Sequence, residues 1–298
     1  MLYIIYPDVD IWNYVFDGYD GKDNVLAVPL NRNCSKLQLV FRKSFPTLKS
    51  NIHLLFGSKI CHSLKSLKES DSLLICDYTD LCIIKTIAVA VDSKVKKNLW
   101  LWNPINGKGD ANFNKLAKLI KQVGFKIFTF DKEDAQKFNL NWLTQFSKSP
   151  IINELPAIEQ DFYFMGFEKG RKQILDKLSA ELVGYKLNFR TINNTKSGID
   201  YSVNISNIMR SHCLVEIVQA GQAGLTLRSL EAMFMKKKLL TNNKDIKNMD
   251  FYSPNNVFVY GEDEITNIGT FLNTPFVNIP EEIQYKYSMD CWISNFKN

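Results

Sequence analysis

Short apolar runs recur along this chain, and most are followed by a stretch whose apolar residues return every three or four positions. Leu2-Tyr3-Ile4-Ile5-Tyr6 reads as a first strand, stopped by Pro7, and Val25 to Leu30 as a second. Ser72 to Tyr78 is a strong buried strand, and a helix is expected from about Asp80 to Val91. Asn98 to Trp102 is the next strand. Asn114 to Val123 then places Leu116, Leu119, Ile120 and Val123 on one helical face, closed by Gly124. Lys126 to Phe130 is a further strand, ending at Asp131. Beyond an aperiodic stretch the alternation resumes, with strands at 161–167, 186–190, 213–218 and 255–260 and helices at about 171–182, 203–210 and 263–272. Strands alternating with helices predict an α/β chain whose parallel sheets are covered on both faces.

The aperiodic stretch, residues 147–159, holds two prolines and is the expected linker between two domains, a number that 298 residues suit. Trp12, Tyr14, Phe16 and Tyr19 crowd a segment with turn signals at Asp17-Gly18 and Asp20-Gly21, so no element is assigned there. Ser35 to Ser44 suits a short helix ended by Pro46, while residues 51–70, with His53 and His62, stay ambiguous. Ile283, Tyr287, Trp292 and Phe296 give the tail the look of a terminal helix. No GxGxxG follows the first strand and no Walker loop occurs, which removes the main support for a dinucleotide oxidoreductase or a nucleoside triphosphatase.

The densest chemistry lies between Val218 and Asn242. An apolar strand runs into Gly221 and Gly224, glycines that let backbone approach a ligand closely. Thr226 is placed to cap a helix with Leu227, Leu230 and Phe234 as its buried stripe. Arg228 and Glu231, three apart, share one face near the helix start, and Lys236 to Lys238 suit its negative end. Unpaired amides at the helix start, with an arginine beside them, make an anion site. An ordinary strand-to-helix crossover carries glycines and caps too. A second junction, Gly166 with Lys169, Gly170 and Arg171, repeats the glycine-plus-cation pattern ahead of a helix.

The stretch Gly224-Leu225-Thr226-Leu227-Arg228, then Leu230-Glu231-Ala232-Met233, then Lys237-Lys238-Leu239-Leu240-Thr241-Asn242-Asn243 resembles the donor-binding motif of GT-B glycosyltransferases. It is especially similar to bacterial enzymes that add lipopolysaccharide and capsule sugars, and the likeness covers most of residues 161–260. The resemblance implies two Rossmann-like parallel-sheet domains. One is an acceptor-side domain at 1–152, to which a C-terminal helix at 281–298 returns; the other is a donor domain at 153–280. It also implies a nucleotide-sugar co-substrate, bound by Gly221, Gly224, Leu225, Thr226, Arg228, Lys169, Arg171 and Arg190, with Glu231 on ribose or sugar hydroxyls. The loop Thr191-Ile192-Asn193-Asn194 would hold the base. Charge on the departing diphosphate would be met by cations and amides, with no metal and no further cofactor.

Retaining enzymes of this architecture often carry two glutamates separated by seven residues; eight before Glu231 stands Ala223, so that pair is absent and the stereochemistry stays open. An inverting reaction needs a base from the first domain. Asp8, Asp77 and Asp131 each follow an expected strand, and Asp77 and Asp8 are the leading candidates. Asp8-Val9-Asp10 has the form of a metal-binding DxD, but this architecture disfavours that use. A sugar-nucleotide epimerase, or a non-catalytic partner in a glycan-assembly complex, would share the fold. With its face taken as solvent-facing, Arg228→Ala is expected to spare the melting temperature.

Charge adds one feature. No Asp or Glu occurs from Asn24 to Lys68, whereas Arg32, Lys36, Arg42, Lys43, Lys49, Lys59, Lys65 and Lys68 are basic, giving that segment more positive charge than the chain's net +6. An anionic membrane surface or a phosphorylated glycan is the expected partner; no nucleic-acid motif accompanies the charge. The N-terminus opens as a strand without a leader pattern and no apolar run reaches about 18 residues, so a cytoplasmic protein, peripheral at the inner face of the membrane, is expected. The six cysteines show no CxxC spacing and suit buried thiols rather than zinc.

Overall fold

Continuous apolar runs become strands buried on both faces. The computed structural model describes residues 1–30, 60–105, 110–150, 156–192, 200–218 and 224–297. Among them the chain divides into two compact units, Met1–Thr144 with Ile293–Asn298, and Gln145–Trp292. Residues 151–155 of the expected linker, the expected helix at 35–44 and most of the basic segment lie outside the described residues.

In the first unit, β1 (Leu2–Pro7) and β3 (Ser72–Cys76) are buried at every position. With β2 (Val25–Leu30), β4 (Lys96–Leu101), β5 (Phe125–Thr129) and β6 (Asn141–Trp142) they form one sheet in the order β2-β1-β3-β4-β5-β6. Every pairing is parallel; Ile4 faces both Ala27 and Leu74, and Ile75 faces Leu99. The connecting helices are α1 (Asp10–Phe16), α2 (Leu81–Ala90), α3 (Asp110–Gln122) and α4 (Lys132–Lys137). Ile83, Ile84 and Ile87 of α2 and Phe113, Ala117 and Ile120 of α3 close over Tyr3, Ile5, Leu73, Ile75 and Leu99. Asp80 starts α2 by accepting from Cys82 N and Ile83 N. Phe296 meets Phe128 edge-on, with ring centroids 5.1 Å apart.

Helix α1 occupies the aromatic segment that the sequence left unassigned. Trp12, Val15 and Phe16 are its buried positions, a three-and-four spacing that the neighbouring turn signals obscured. Helix α4 and the two-residue β6 are likewise additions to the expected order.

The second unit repeats the scheme with β7 (Gln160–Phe167), α5 (Lys172–Glu181), β8 (Leu187–Ile192), α6 (Tyr201–Met209), β9 (Ser211–Glu216), α7 (Leu227–Phe234), β10 (Lys238–Thr241), β11 (Val257–Val259) and α8 (Ile268–Asn273). Its sheet runs β11-β10-β9-β7-β8, again all parallel. Counted from its own first strand, each sheet has the order second-first-third-fourth-fifth. The reversal between first and third strands is where such sheets receive ligands, outside the carboxyl ends of the strands.

The tail forms two short helices, α9 (Glu281–Lys286) and α10 (Met289–Ser294), in place of one. The break has a local cause. Ser147 N donates to Tyr287 O at 3.0 Å and Met289 N to Ser147 O at 3.2 Å, so the backbone between the helices is bridged to another segment. Tyr287 is also pinned by a 2.6 Å hydroxyl bond to Asp250, and Ser288 Oγ accepts from Cys291 N to restart the helix. Among the described residues no helix is long and apolar enough to cross a membrane.

Candidate functional site

A buried acid organises the reversal point of the second sheet. Glu216 ends β9 only 3% exposed, and its carboxylate accepts from three hydroxyls: Thr226, Ser229 (2.6 Å) and Thr241. Thr226 Oγ accepts in turn from Arg228 N at 3.1 Å, which makes it the cap of α7. One carboxylate therefore ties the end of β9 to β10 and to the start of α7. Asn242 completes the fastening: its side-chain oxygen accepts from Val218 N at 2.7 Å and its amide donates to Val218 O at 3.4 Å. Gly224 and Leu225 are buried just ahead of the helix, while Gly221 lies outside the described residues.

Helix α7 is buried at every position from Ser229 to Phe234, because the sheet takes one side and α6 with the 246–252 region the other. That explains the setting of Arg228 and Glu231. Glu231 is 2% exposed; one oxygen lies 2.8 Å from Arg228 Nη1 and the other accepts from the Tyr201 hydroxyl. Burial raises its pKa, with the guanidinium and the Tyr201 and Asn204 hydrogen bonds pulling the other way. The Arg228 side chain, 12% exposed, donates through Nη2 to Met165 O at 3.2 Å and lies 5.7 Å from the centre of the Tyr163 ring. Its Nη1 is close to Glu231 but not aligned as a hydrogen bond. Glu231 thus faces inward and holds Arg228, rather than lying open to sugar hydroxyls.

The other junction reaches the same reversal point from β7. Arg171 Nε donates to Ile217 O at 2.5 Å and Nη1 to Phe167 O at 2.8 Å, so its guanidinium clasps the ends of β7 and β9. Lys169 is exposed, adopts a left-handed φ of 35°, and sets its ammonium 5.6 Å from the Phe167 ring centre. Arg190, exposed on the edge strand β8, is bonded to Asn188 at 3.0 Å. Asn193 and Asn194 of the expected base-binding loop are outside the described residues. Arg171 and Arg228 are therefore brought to one place, Lys169 sits on the loop beside them, and Arg190 stands apart on the edge.

No family model matches the chain, and no curated protein matches it.

In the first unit, Asp8 and Asp77 follow β1 and β3 and so flank that sheet's own reversal point. Asp8 is exposed and accepts from Asn13 at 3.1 Å. Asp77 holds a left-handed φ of 52°, a costly conformation for a residue with a side chain. Its N–H reaches Trp100 O at 2.7 Å, and Asn103 sits 3.4 Å from both carboxylate oxygens. Asp131 takes a different role: it is buried and accepts from Glu133 N and Asp134 N as the cap of α4. Among the described residues no three His, Cys, Asp or Glu side chains form a metal-ligand set.

Sequence reasoning missed Glu216, Tyr201, Asn204 and Asn242. The signal for Glu216 was present: an acid closing an apolar run, followed by Thr226, Ser229 and Thr241 as donors.

Proposed function

We propose that this protein is a glycosyltransferase of GT-B architecture that moves a sugar from a nucleotide-sugar donor to a glycan or lipid-linked glycan acceptor in bacterial surface polysaccharide synthesis. The observation that carries this reading is the pair of guanidinium groups at the reversal point of the second sheet, each fixed by main-chain carbonyls. A guanidinium has five donors, so Arg171 and Arg228 keep N–H groups for phosphate oxygens beyond those spent on carbonyls. The capped start of α7 adds its partial positive charge, and Lys169 a mobile point charge. Preset cations of this kind stabilise a leaving diphosphate without reorganising during the reaction.

The base in this reading is Asp77 or Asp8, each beside the reversal point of the first sheet. The strained backbone of Asp77 favours it, since such strain persists where function requires it. The acid-free segment from Asn24 to Lys68 would meet an anionic lipid surface, with the enzyme peripheral on the cytoplasmic face.

Incubation with a panel of nucleotide sugars, following nucleoside diphosphate release with and without a lipid-linked glycan acceptor, tests the reading. Acceptor-dependent release is the expected result. Isomerised donor without release would make the protein a sugar-nucleotide epimerase, and absence of donor binding would leave it a non-catalytic partner.

A further inference from the structure

At the opposite end of the second sheet, where β9 and β10 begin, a cleft of about 430 Å³ opens. One side carries His212, Lys236, Lys237 and Lys238; the other is apolar, with Pro275 and Phe276, and no acid lines it. The two middle lysines are unusual. Lys237 is 7% and Lys238 3% exposed, and their ammonium groups are held by carbonyls: Lys237 on Met209 O at 2.6 Å, Lys238 on Asn255 O and Thr274 O at 2.5 Å each. Among the described residues neither has a carboxylate within ion-pair distance.

Carbonyl dipoles solvate a buried ammonium but leave its charge uncancelled, and burial without a counter-charge is costly. Burial accordingly lowers the pKa of both lysines. The field they create falls on the cleft, where exposed Lys236 adds a third cation and half-buried His212, bonded to the Leu272 carbonyl, can add a fourth. Asp161 acts on His212 from outside the lining, and its carboxylate accepts from Lys186 N at 2.8 Å. The volume lies within the roughly 300–1,000 Å³ of small-molecule sites.

We propose that this cleft is a second anion site, which takes a small organic phosphate. Its phosphate supplies the missing counter-charge to Lys236, Lys237, Lys238 and His212, and its body lies on Pro275 and Phe276. Four cationic groups suit a dianion better than a single carboxylate. The site is separate from the arginines at the carboxyl end of the same sheet and stands or falls independently of the transferase reading.

The test is NMR of the His212 ring, assigned with His212→Gln, during titration with inorganic phosphate against potassium chloride at matched ionic strength. Phosphate should shift the His212 signal saturably and raise its pKa, because a bound anion favours the imidazolium. Lys236→Gly suits the left-handed backbone there, φ 52°, and should weaken phosphate at this site about tenfold, the equivalent of one charge-assisted bond. Affinity for nucleoside diphosphate should not change in that variant. A His212 signal that ignores phosphate, that moves equally with chloride, or whose phosphate affinity survives both Lys236→Gly and Lys236→Glu overturns the proposal.

Discussion

Replacing Arg228 by Ala strands a charge. Glu231 is 2% exposed and Arg228 is 12% exposed, so the pair lies almost wholly out of water. Without the guanidinium the carboxylate keeps only the Tyr201 hydroxyl and the Asn204 amide. Breaking a buried pair from one side costs about 3–5 kcal/mol, and the partly open arginine end argues for about 3. The carboxyl can escape by taking up a proton, since burial already raises its pKa and loss of Arg228 raises it further. The sign follows from linkage. A carboxyl whose folded pKa is raised contributes fully below its unfolded pKa, near ~4.3. That contribution is lost as pH rises through the folded value, at about 1.4 kcal/mol per unit. Arg228→Ala should therefore lie near wild type at about pH 5 and be most destabilised at about pH 8. Urea unfolding of wild type, Arg228→Ala, Glu231→Gln and the double variant at both pH values measures this. Arg228→Ala plus Glu231→Gln should recover at least about 2 kcal/mol relative to Arg228→Ala at the higher pH, because no buried charge remains. Loss below about 0.5 kcal/mol at both pH values, or a double variant no more stable than Arg228→Ala, would refute the reasoning.

Three further outcomes follow from the same structure. Ser229→Ala removes one of three hydroxyl donors to the buried Glu216 carboxylate and should cost about 1.5–3 kcal/mol in urea unfolding. Asp250 bonds Lys286 and Tyr287; burial raises its pKa but those bonds outweigh it, so the net shift is downward. Its contribution is present above the unfolded pKa and lost as pH falls through the folded one, so amide exchange of α9 should quicken in acid, and Asp250→Asn should show that fast exchange at neutral pH. Asp77→Gly relieves the left-handed backbone and should keep or raise stability while lowering glycosyl transfer by about 10²–10⁴-fold, read by melting and by product formation.

The strands were legible because parallel strands buried on both faces are written as apolar runs, as at Leu2–Tyr6, Ser72–Cys76 and Cys213–Val215. Helix α1 was not, since aromatic residues and two Asp-Gly pairs speak for turns while Trp12, Val15 and Phe16 carry the helical spacing. Periodicity placed Arg228 and Glu231 on one face, but it does not say where that face looks. The sequence suggested solvent, and a melting temperature indifferent to Arg228; the structure turns the face inward because α7 is covered on both sides. Lys237 and Lys238 escaped for a similar reason: three lysines at a helix end read as solvated, whereas carbonyls from α6, the 255 turn and the end of α8 receive two of them.

The fastening of Val218 by Asn242 has a consequence for how this protein can diversify. The side chain supplies one more rung beyond the last main-chain pair of β9 and β10, Glu216 opposite Thr241. On the far side, Thr226 is moored to Glu216. Residues 219–223 therefore hang between two fixed posts, like an interchangeable cassette. Lengthening a loop between fixed ends costs little, about 0.6 kcal/mol for each doubling, so insertions and swaps there should leave the strands and α7 in register. A library confined to those five positions would recast what the site selects while the rest of the unit folds as before.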